Sequence, residues 1–389
     1  MAQAKTDRPV PASVAHRAAG AWGSLARRRR QIGRLRPLRL RLRASNLAKR
    51  TSGLTVLIPA YNEAASIADT IRSIQSQTMP VDEIIVIDDC STDGTSEAAR
   101  ACGVLVIRPG QNTGSKAGAQ NVALGRVRTA FTMAIDADTT LAPDAVEKLL
   151  EAFDDPKVAA VCGSVIPRYV RTIWERGRYI EYLFAFTFYK PIQDYYEKPL
   201  ISSGCFSAYR TAALRANGGW STRTMAEDMD LTWSFYQAGH RVRFVPEAVC
   251  YPIEPHDFTF MRKQLRRWSH GFVQNVQLHW RGLLQLPYLR SVVAVAMWDA
   301  TVASFAYFVL VPLLAWKVSP LFLLCYVIDT PALLIPIMAS AVQRKETRRA
   351  LASIPSFWVL RFVNGVFFVK ALWTELVLRR RLRVYEKGH

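Results

Sequence analysis

Residues 54–95 read LTVLIPAYNEAASIADTIRSIQSQTMPVDEIIVIDDCSTDGT. The run Leu54–Ile58 is short, apolar and partly β-branched, and it stops at Pro59, as a strand buried on both faces does. Ala64 to Gln77 then carries Ile67, Ile71 and Ile74 at helical spacing. Glu83–Ile87 is a second apolar run and ends on Asp88-Asp89. A β-α-β order with short connections predicts a doubly wound α/β sheet.

The same alternation continues downstream. Thr95–Ala101 reads as helix, Val104–Ile107 as strand, Ala117–Val127 as helix, and Phe131–Ile135 as a fourth strand ending on Asp136-Ala137-Asp138. Ligands of such sheets bind beyond the carboxyl ends of the strands. Tyr61, Asp88, Asp89, Asp136 and Asp138 all fall at those ends.

Four clusters carry the chemistry. Asp88-Asp89, followed by Ser91, Asp93 and Thr95, can accept hydrogen bonds from a pyrimidine imide or a ribose; the same residues also suit a turn and a helix cap. Asp136-x-Asp138 offers two hard carboxylates on one side of an extended strand end, a donor set for Mg²⁺ or Mn²⁺ bridging a diphosphate. Glu227-Asp228 opens an amphipathic segment reaching Ala238; it serves either as a first helical turn that favours acids or as the site of a general base. Gln264-Leu-Arg-Arg267-Trp268 lies in a basic, helical stretch. Gln264, Arg267 and Trp268 share one face there, so an amide, a guanidinium and an aromatic ring point together.

With these pieces the chain resembles the family 2 inverting glycosyltransferases of GT-A fold, in particular the membrane-bound branch of chitin, hyaluronan, cellulose and poly-N-acetylglucosamine synthases. The resemblance covers roughly residues 54–280. It rests on Pro59-Ala-Tyr-Asn-Glu63, Val86 to Thr95, Asn112 to Asn121, Asp136-Ala-Asp138, Ser203 to Arg210, Ala226-Glu-Asp228, and Gln264 to Trp268 with Gly271, in that order. Glu181-Tyr182 resembles a further segment of that branch. The resemblance implies that Asp89 with Asp88 holds uracil, and that Tyr61, Glu63 and Lys116 line the nucleotide pocket. Asp138 would bind the metal, and Asp136 the ribose, donor sugar or metal. Asp228 would be the base, placed by Glu227. Gln264 and Arg267 would clamp the diphosphate. Trp268 would stack on the acceptor, with Gly204 and Cys205 at its border. The implied reaction takes a UDP-sugar, N-acetylglucosamine or glucose, to a β linkage in polysaccharide synthesis; transfer of one or a few sugars to a lipid or other membrane acceptor is the alternative. A nucleotidyltransferase has no use for the Glu-Asp pair or the Gln-x-x-Arg-Trp face. A binding module without activity would lack a catalytic carboxylate.

Bulk properties agree with a membrane setting. The chain has 389 residues, half of them hydrophobic, and a net charge of +20. Residues 1–50 hold 14 Lys or Arg against Asp7, which is +13 of that total. Without an apolar core this segment is not a secretory signal. It reads as a solvated tail or one lying on anionic lipid, and its lack of interleaved aromatics argues against a nucleic-acid partner. Six Cys without a CxxC spacing read as reduced thiols.

The expected organisation is a basic tail over 1–50, a cytoplasmic catalytic domain over 51–286, a transmembrane hairpin over 287–340, and a basic loop, third apolar helix and basic tail over 341–389. Leu289–Trp316 and Val318–Ser340 are each long enough for the ~20 residues of a span, and contain Asp299 and Asp329. Ile354–Leu378 carries Arg361, Lys370 and Glu375 between basic flanks, which favours an interfacial or re-entrant element. The protein is thus expected in the inner membrane as a multi-pass enzyme. Its partners would be lipid, a glycan or lipid acceptor, and a second copy or an accessory export subunit.

Overall fold

The structure, a computed structural model, describes residues 53–382, apart from the side chains of residues 327–329 and 332. The basic tail over 1–50 lies outside the described residues.

The first half follows the predicted alternation. Strand β1 (Leu54–Ala60), helix α1 (Ile67–Gln75), β2 (Glu83–Asp88), α2 (Thr95–Ala101), β3 (Leu105–Ile107), α3 (Lys116–Leu124) and β4 (Phe131–Ile135) succeed one another. β1 pairs in parallel with β2 on one side and β4 on the other, and β2 with β3. Burial explains the composition: Val56, Leu57, Ile58, Ile85, Val86 and Ile87 are fully enclosed between the helical layers.

The second half has no counterpart in the simple alternation. β5 (Thr139–Leu141), α4 (Ala145–Glu151) and β6 (Val158–Val165) lead to α5 (Ile173–Phe184), a π-helical turn (Ala185–Tyr189) and α6 (Lys190–Tyr195). Then come β7 (Phe206–Arg210), α7 (Thr211–Ala216), α8 (Glu227–Gln237) and β8 (Arg241–Pro252). The eight strands form one sheet in the order β3-β2-β1-β4-β7-β6-β8-β5. β7 runs antiparallel between β4 and β6, and β5 antiparallel to β8, while β6 and β8 are parallel. The sheet is therefore mixed and mostly parallel. An irregularity between Gly163 and Ser164 bends β6 against β8. A Cβ at Gly163 would lie 2.4 Å from both the Ala248 carbonyl and the Phe206 ring, so only glycine fits at that bend.

The C-terminal part is helical: α9 (Phe258–Leu284), α10 (Pro287–Trp298), α11 (Val311–Lys317), α12 (Leu324–Gln343) and α13 (Thr347–Leu372). Among the described residues, Pro287–Lys317 and Thr347–Val377 are long and apolar enough to cross a membrane. The second arm of the expected hairpin, Val318–Ser340, falls largely in α12, part of whose side chains lie outside those described. The segment after Lys317 breaks at a single 3₁₀ turn, Pro320–Leu323, before α12 begins. The segment expected to be interfacial or re-entrant, Ile354–Leu378, falls almost wholly within the helical stretch Thr347–Val377, 31 residues long. Two of its charged residues are met within the protein, Arg361 bonding to Asp299 and Glu375 being buried, while Lys370 is exposed. The side chain of Asp329 lies outside those described.

Helix α5 joins the sheet domain to α13. A capping box starts it, with Thr172 Oγ1 accepting from Glu175 N–H (3.3 Å) and Glu175 Oε2 from Thr172 N–H (2.8 Å). At Gly177 a Cβ would sit 2.8 Å from the Ser356 carbonyl on α13, so the two backbones touch there.

Candidate active site

A cleft of about 980 Å³ opens beyond the carboxyl ends of β1, β2 and β4. Tyr61, Glu63, Asp89, Lys116, Asp136, Asp138, Gly204, Cys205, Glu227, Asp228, Gln264, Arg267 and Trp268 all line it. Asp88 does not. It is fully buried and accepts from Ser91 N–H (2.8 Å), Arg108 (2.7 Å) and the Ser96 hydroxyl. Burial raises its pKa, but those hydrogen bonds and the Arg108 charge outweigh it and hold the carboxyl below the usual range. The expected nucleotide contact at Asp88 is therefore replaced by a structural one. Adjacent residues at a strand end point to opposite sides, so one carboxylate of a pair turns inward. Asp89 is the one that faces the cleft, where Thr113 donates to it through its N–H (2.8 Å) and its hydroxyl (2.9 Å).

The second acidic pair sits in a turn rather than on an extended strand end. β4 stops at Ile135, and Thr139 N–H donates back to the Asp136 carbonyl (3.2 Å). Asp136 pairs with the Lys116 ammonium. Asp138 accepts from the Thr139 hydroxyl at 3.1 Å. Burial first, then the charges of Asp136 and Glu63, push the Asp138 carboxyl well above the ordinary carboxylate range. Such a carboxylate suits a cation. No group of three or more His, Cys, Asp or Glu able to hold a metal occurs among the described residues. One or two carboxylates fit the case in which phosphate oxygens and water complete the shell.

Glu227 and Asp228 open α8 at the cleft floor. Asp228 Oδ2 accepts from Gly204 N–H at 2.7 Å and Oδ1 from Met229 N–H at 2.8 Å. Burial raises the Asp228 pKa, tempered by the Lys116 ammonium, those two N–H groups and Arg267. Glu227 is raised by burial and by Asp228 beside it. Lys116 donates to the Gly204 carbonyl at 2.9 Å, so one lysine links the Asp136 turn, the Gly204 loop and the acidic pair.

Helix α9 brings Gln264, Arg267 and Trp268 to the rim on one face, as their spacing predicts. Their surroundings were not legible. Arg178 of α5, fully buried, donates to Gln264 Oε1 (2.7 Å) and to Glu181 (2.5 Å), and its guanidinium lies 4.6 Å from the Trp268 ring centre. Glu254, 3% exposed, accepts from the Tyr182 hydroxyl (2.8 Å) and lies 3.5 Å from Arg178. Burial raises the Glu254 carboxyl, with Arg178 and Tyr182 holding it back. An acid between Pro252 and Pro255, just ahead of a helix, was the only sequence hint. Buried Lys190 donates to Ser203 (2.7 Å) at the same cleft and had no hint at all. The six cysteines are all free thiols; Cys205 lines the cleft.

The comparisons with known proteins agree with this fold. Residues 55–218 match the family model of Glycosyl transferase family 2. The chain contains a family 2 glycosyltransferase domain. The poly-beta-1,6-N-acetyl-D-glucosamine synthase of Staphylococcus aureus (strain COL) is 30% identical over 223 residues, 56% of this chain and 54% of that protein. The like-named synthase of Staphylococcus epidermidis (strain ATCC 35984) is 29% identical over 228 residues, 57% of this chain and 55% of the relative. The chain thus spans about half the length of these curated relatives. A mannosyltransferase from Pyrobaculum calidifontis, solved with GDP-Man and Mn²⁺, superposes with a TM-score of 0.50 at 21% identity, covering 83% of this chain and 94% of that one. That likeness is one of fold, and the fold is GT-A.

Proposed function

We propose that this glycosyltransferase is a membrane-bound inverting enzyme. It transfers N-acetylglucosamine, or glucose, from a UDP-sugar to an acceptor hydroxyl, forming β linkages in polysaccharide synthesis. The observation that carries the reading is Asp228: a carboxylate of raised pKa, held at the cleft floor by the Gly204 N–H, opposite the Asp136–Asp138 turn and beside Arg267. The named relatives are poly-N-acetylglucosamine synthases, which favours that sugar.

The step is a single displacement. Asp228 takes the proton of the acceptor hydroxyl while its oxygen forms a bond to the anomeric carbon. The bond from that carbon to the diphosphate breaks on the opposite face, which inverts the centre. A raised pKa suits Asp228 to this role, because a general base works best with a pKa near the working pH. Arg267 and Lys116 supply positive charge where the leaving diphosphate becomes more anionic. Asp138, with Asp136, would hold Mg²⁺ or Mn²⁺, which as a Lewis acid neutralises the diphosphate. Asp89 and Tyr61, with Glu63, line the end of the cleft assigned to the base and ribose. Trp268, backed by the Arg178 guanidinium, offers a ring for the acceptor, bordered by Gly204 and Cys205. Pro287–Lys317 and Thr347–Val377 would seat the enzyme in the membrane with its catalytic domain on the cytoplasmic side, where basic segments collect.

The test is reconstitution of the full chain in lipid with Mn²⁺ or Mg²⁺, offering UDP-N-acetylglucosamine, UDP-glucose and GDP-mannose in turn. The expected result is UDP release with a growing β-linked polymer. Short glycosylated lipid would replace the polymer reading with single addition. Turnover of GDP-mannose alone would overturn the donor assignment.

A further inference from the structure

The turn that presents Glu227 and Asp228 is braced from behind by helix α9. Met225 N–H donates to Gln274 Oε1 at 2.9 Å, and Asn275 Nδ2 donates to the Ala226 carbonyl at 3.0 Å. At Gly271 a Cβ would lie 2.6 Å from Ala226 Cβ and 2.8 Å from its nitrogen, so the helix backbone abuts the turn directly.

Gln274 is itself held from the far side by the C-terminal end of the chain. Its Nε2 donates to Glu375 Oε1 (2.8 Å) and to the Leu382 carbonyl (3.0 Å). The same Glu375 oxygen accepts from Leu382 N–H (3.0 Å) and lies 2.7 Å from His270 Nδ1, which must carry the hydrogen because a carboxylate only accepts. Glu375 is 2% exposed. Burying a carboxylate that deeply is costly unless several donors meet it, and three meet Oε1, while Oε2 is buried without a hydrogen-bond partner among the described residues. The carboxylate also decides which way the Gln274 amide points. If the amide turned over, its oxygen would face Glu375 and its NH₂ would face the Met225 N–H, two repulsive contacts in place of two hydrogen bonds.

We propose that Glu375 is a positioning residue of the transfer reaction. It fixes the Gln274 amide with its oxygen toward Met225, and thereby sets the turn carrying Glu227 and Asp228 in the cleft. The inference rests on Asp228 as the base. It gives the last apolar helix, Thr347–Val377, a part in the chemistry beyond seating the protein in lipid.

The experiment compares Glu375→Ala, Gln274→Met and the double variant with wild type. It uses the full chain in lipid, with UDP-N-acetylglucosamine turnover, donor binding and thermal unfolding measured on each. A base displaced by a fraction of an ångström to one ångström lowers kcat about 10- to 100-fold. Donor KM and Kd should stay within about twofold, because neither residue lines the donor end of the cleft. The double variant should be no worse than the worse single one, since both cut the same connection. Glu375→Gln keeps an accepting oxygen and should recover most of the turnover. Wild-type kcat in either folded single variant, or losses that multiply, overturns the proposal. If Glu375→Ala does not fold, Gln274→Met, which keeps the side-chain volume, decides alone. Full turnover in Asp228→Asn would instead remove the base assignment, whatever the positioning variants do.

Discussion

Gly204 is the most exacting position in the cleft. Its N–H binds Asp228 Oδ2 and its carbonyl accepts from Lys116, so both backbone groups are already committed. A Cβ there would lie 2.8 Å from Asp228 Oδ2, 3.3 Å from its Cγ and 3.3 Å from Lys116 Nζ. Ordinary contact needs roughly half an ångström more, so Gly204→Ala must push the carboxylate aside or move the loop. Overpacking of this kind costs about 1–3 kcal/mol of stability, which a large domain survives. The effect on the reaction is greater: a base moved by about one ångström loses on the order of 100-fold in kcat. The assay is steady-state UDP release from UDP-N-acetylglucosamine by the lipid-reconstituted enzyme, with donor binding measured separately. The expected variant is folded, binds donor within a few-fold of wild type, and turns over about 100-fold more slowly. A folded Gly204→Ala enzyme with wild-type kcat would show this to be wrong, because a displaced carboxylate and a displaced loop both disturb the bond between the Gly204 N–H and Asp228.

Other perturbations report on other parts of the cleft. Asp138→Ala should abolish the metal dependence of donor binding, seen by titrating UDP with and without Mn²⁺; in metal-free buffer it should raise the unfolding temperature, because it relieves a buried carboxylate repelled by Asp136 and Glu63. The rate, as kcat/KM, should rise with pH through an acid limb lying above the usual carboxylate pKa, since the folded pKa of Asp228 is raised and its charged form is the proposed base. Asp230, held by His279 (2.6 Å) and two Arg223 contacts (2.8 and 2.7 Å), has its carboxyl lowered to about 2. A depressed folded pKa contributes stability above the unfolded value and loses it as pH falls through about 2. Asp230→Asn should therefore cost about 2 kcal/mol at neutral pH and nothing in strong acid, read from denaturant unfolding at several pH values.

Much of the sheet's first half was legible, because parallel strands buried on both faces leave continuous apolar runs bounded by Pro, Gly and Asp. The second half was not. β5 has three residues, and β8 contains Pro246 and pairs through an irregular register, so neither shows a clean period. β7 follows the polar Ser202-Ser203-Gly204, and its partners, β4 and β6, lie far away in sequence. In the cleft, motif residues were legible as types and order. Their orientation was not: Asp88 and Asp89 read alike, and only the fold turns one inward to Arg108. Arg178, Glu254 and Glu375 act through contacts that span from about 70 to over 100 residues of sequence, as in Tyr182 to Glu254, Arg178 to Gln264 and His270 to Glu375. No local pattern encodes such pairs.

In the proposed reaction Asp228 deprotonates the acceptor of a UDP-sugar displacement. Asp228→Asn keeps the shape of the side chain and an oxygen that can accept from the Gly204 N–H, but it removes the base. The measurement is UDP binding together with UDP-N-acetylglucosamine turnover by this variant in lipid with Mn²⁺. The expected result is nucleotide binding like wild type and no sugar transfer. Wild-type-like turnover by Asp228→Asn would contradict it.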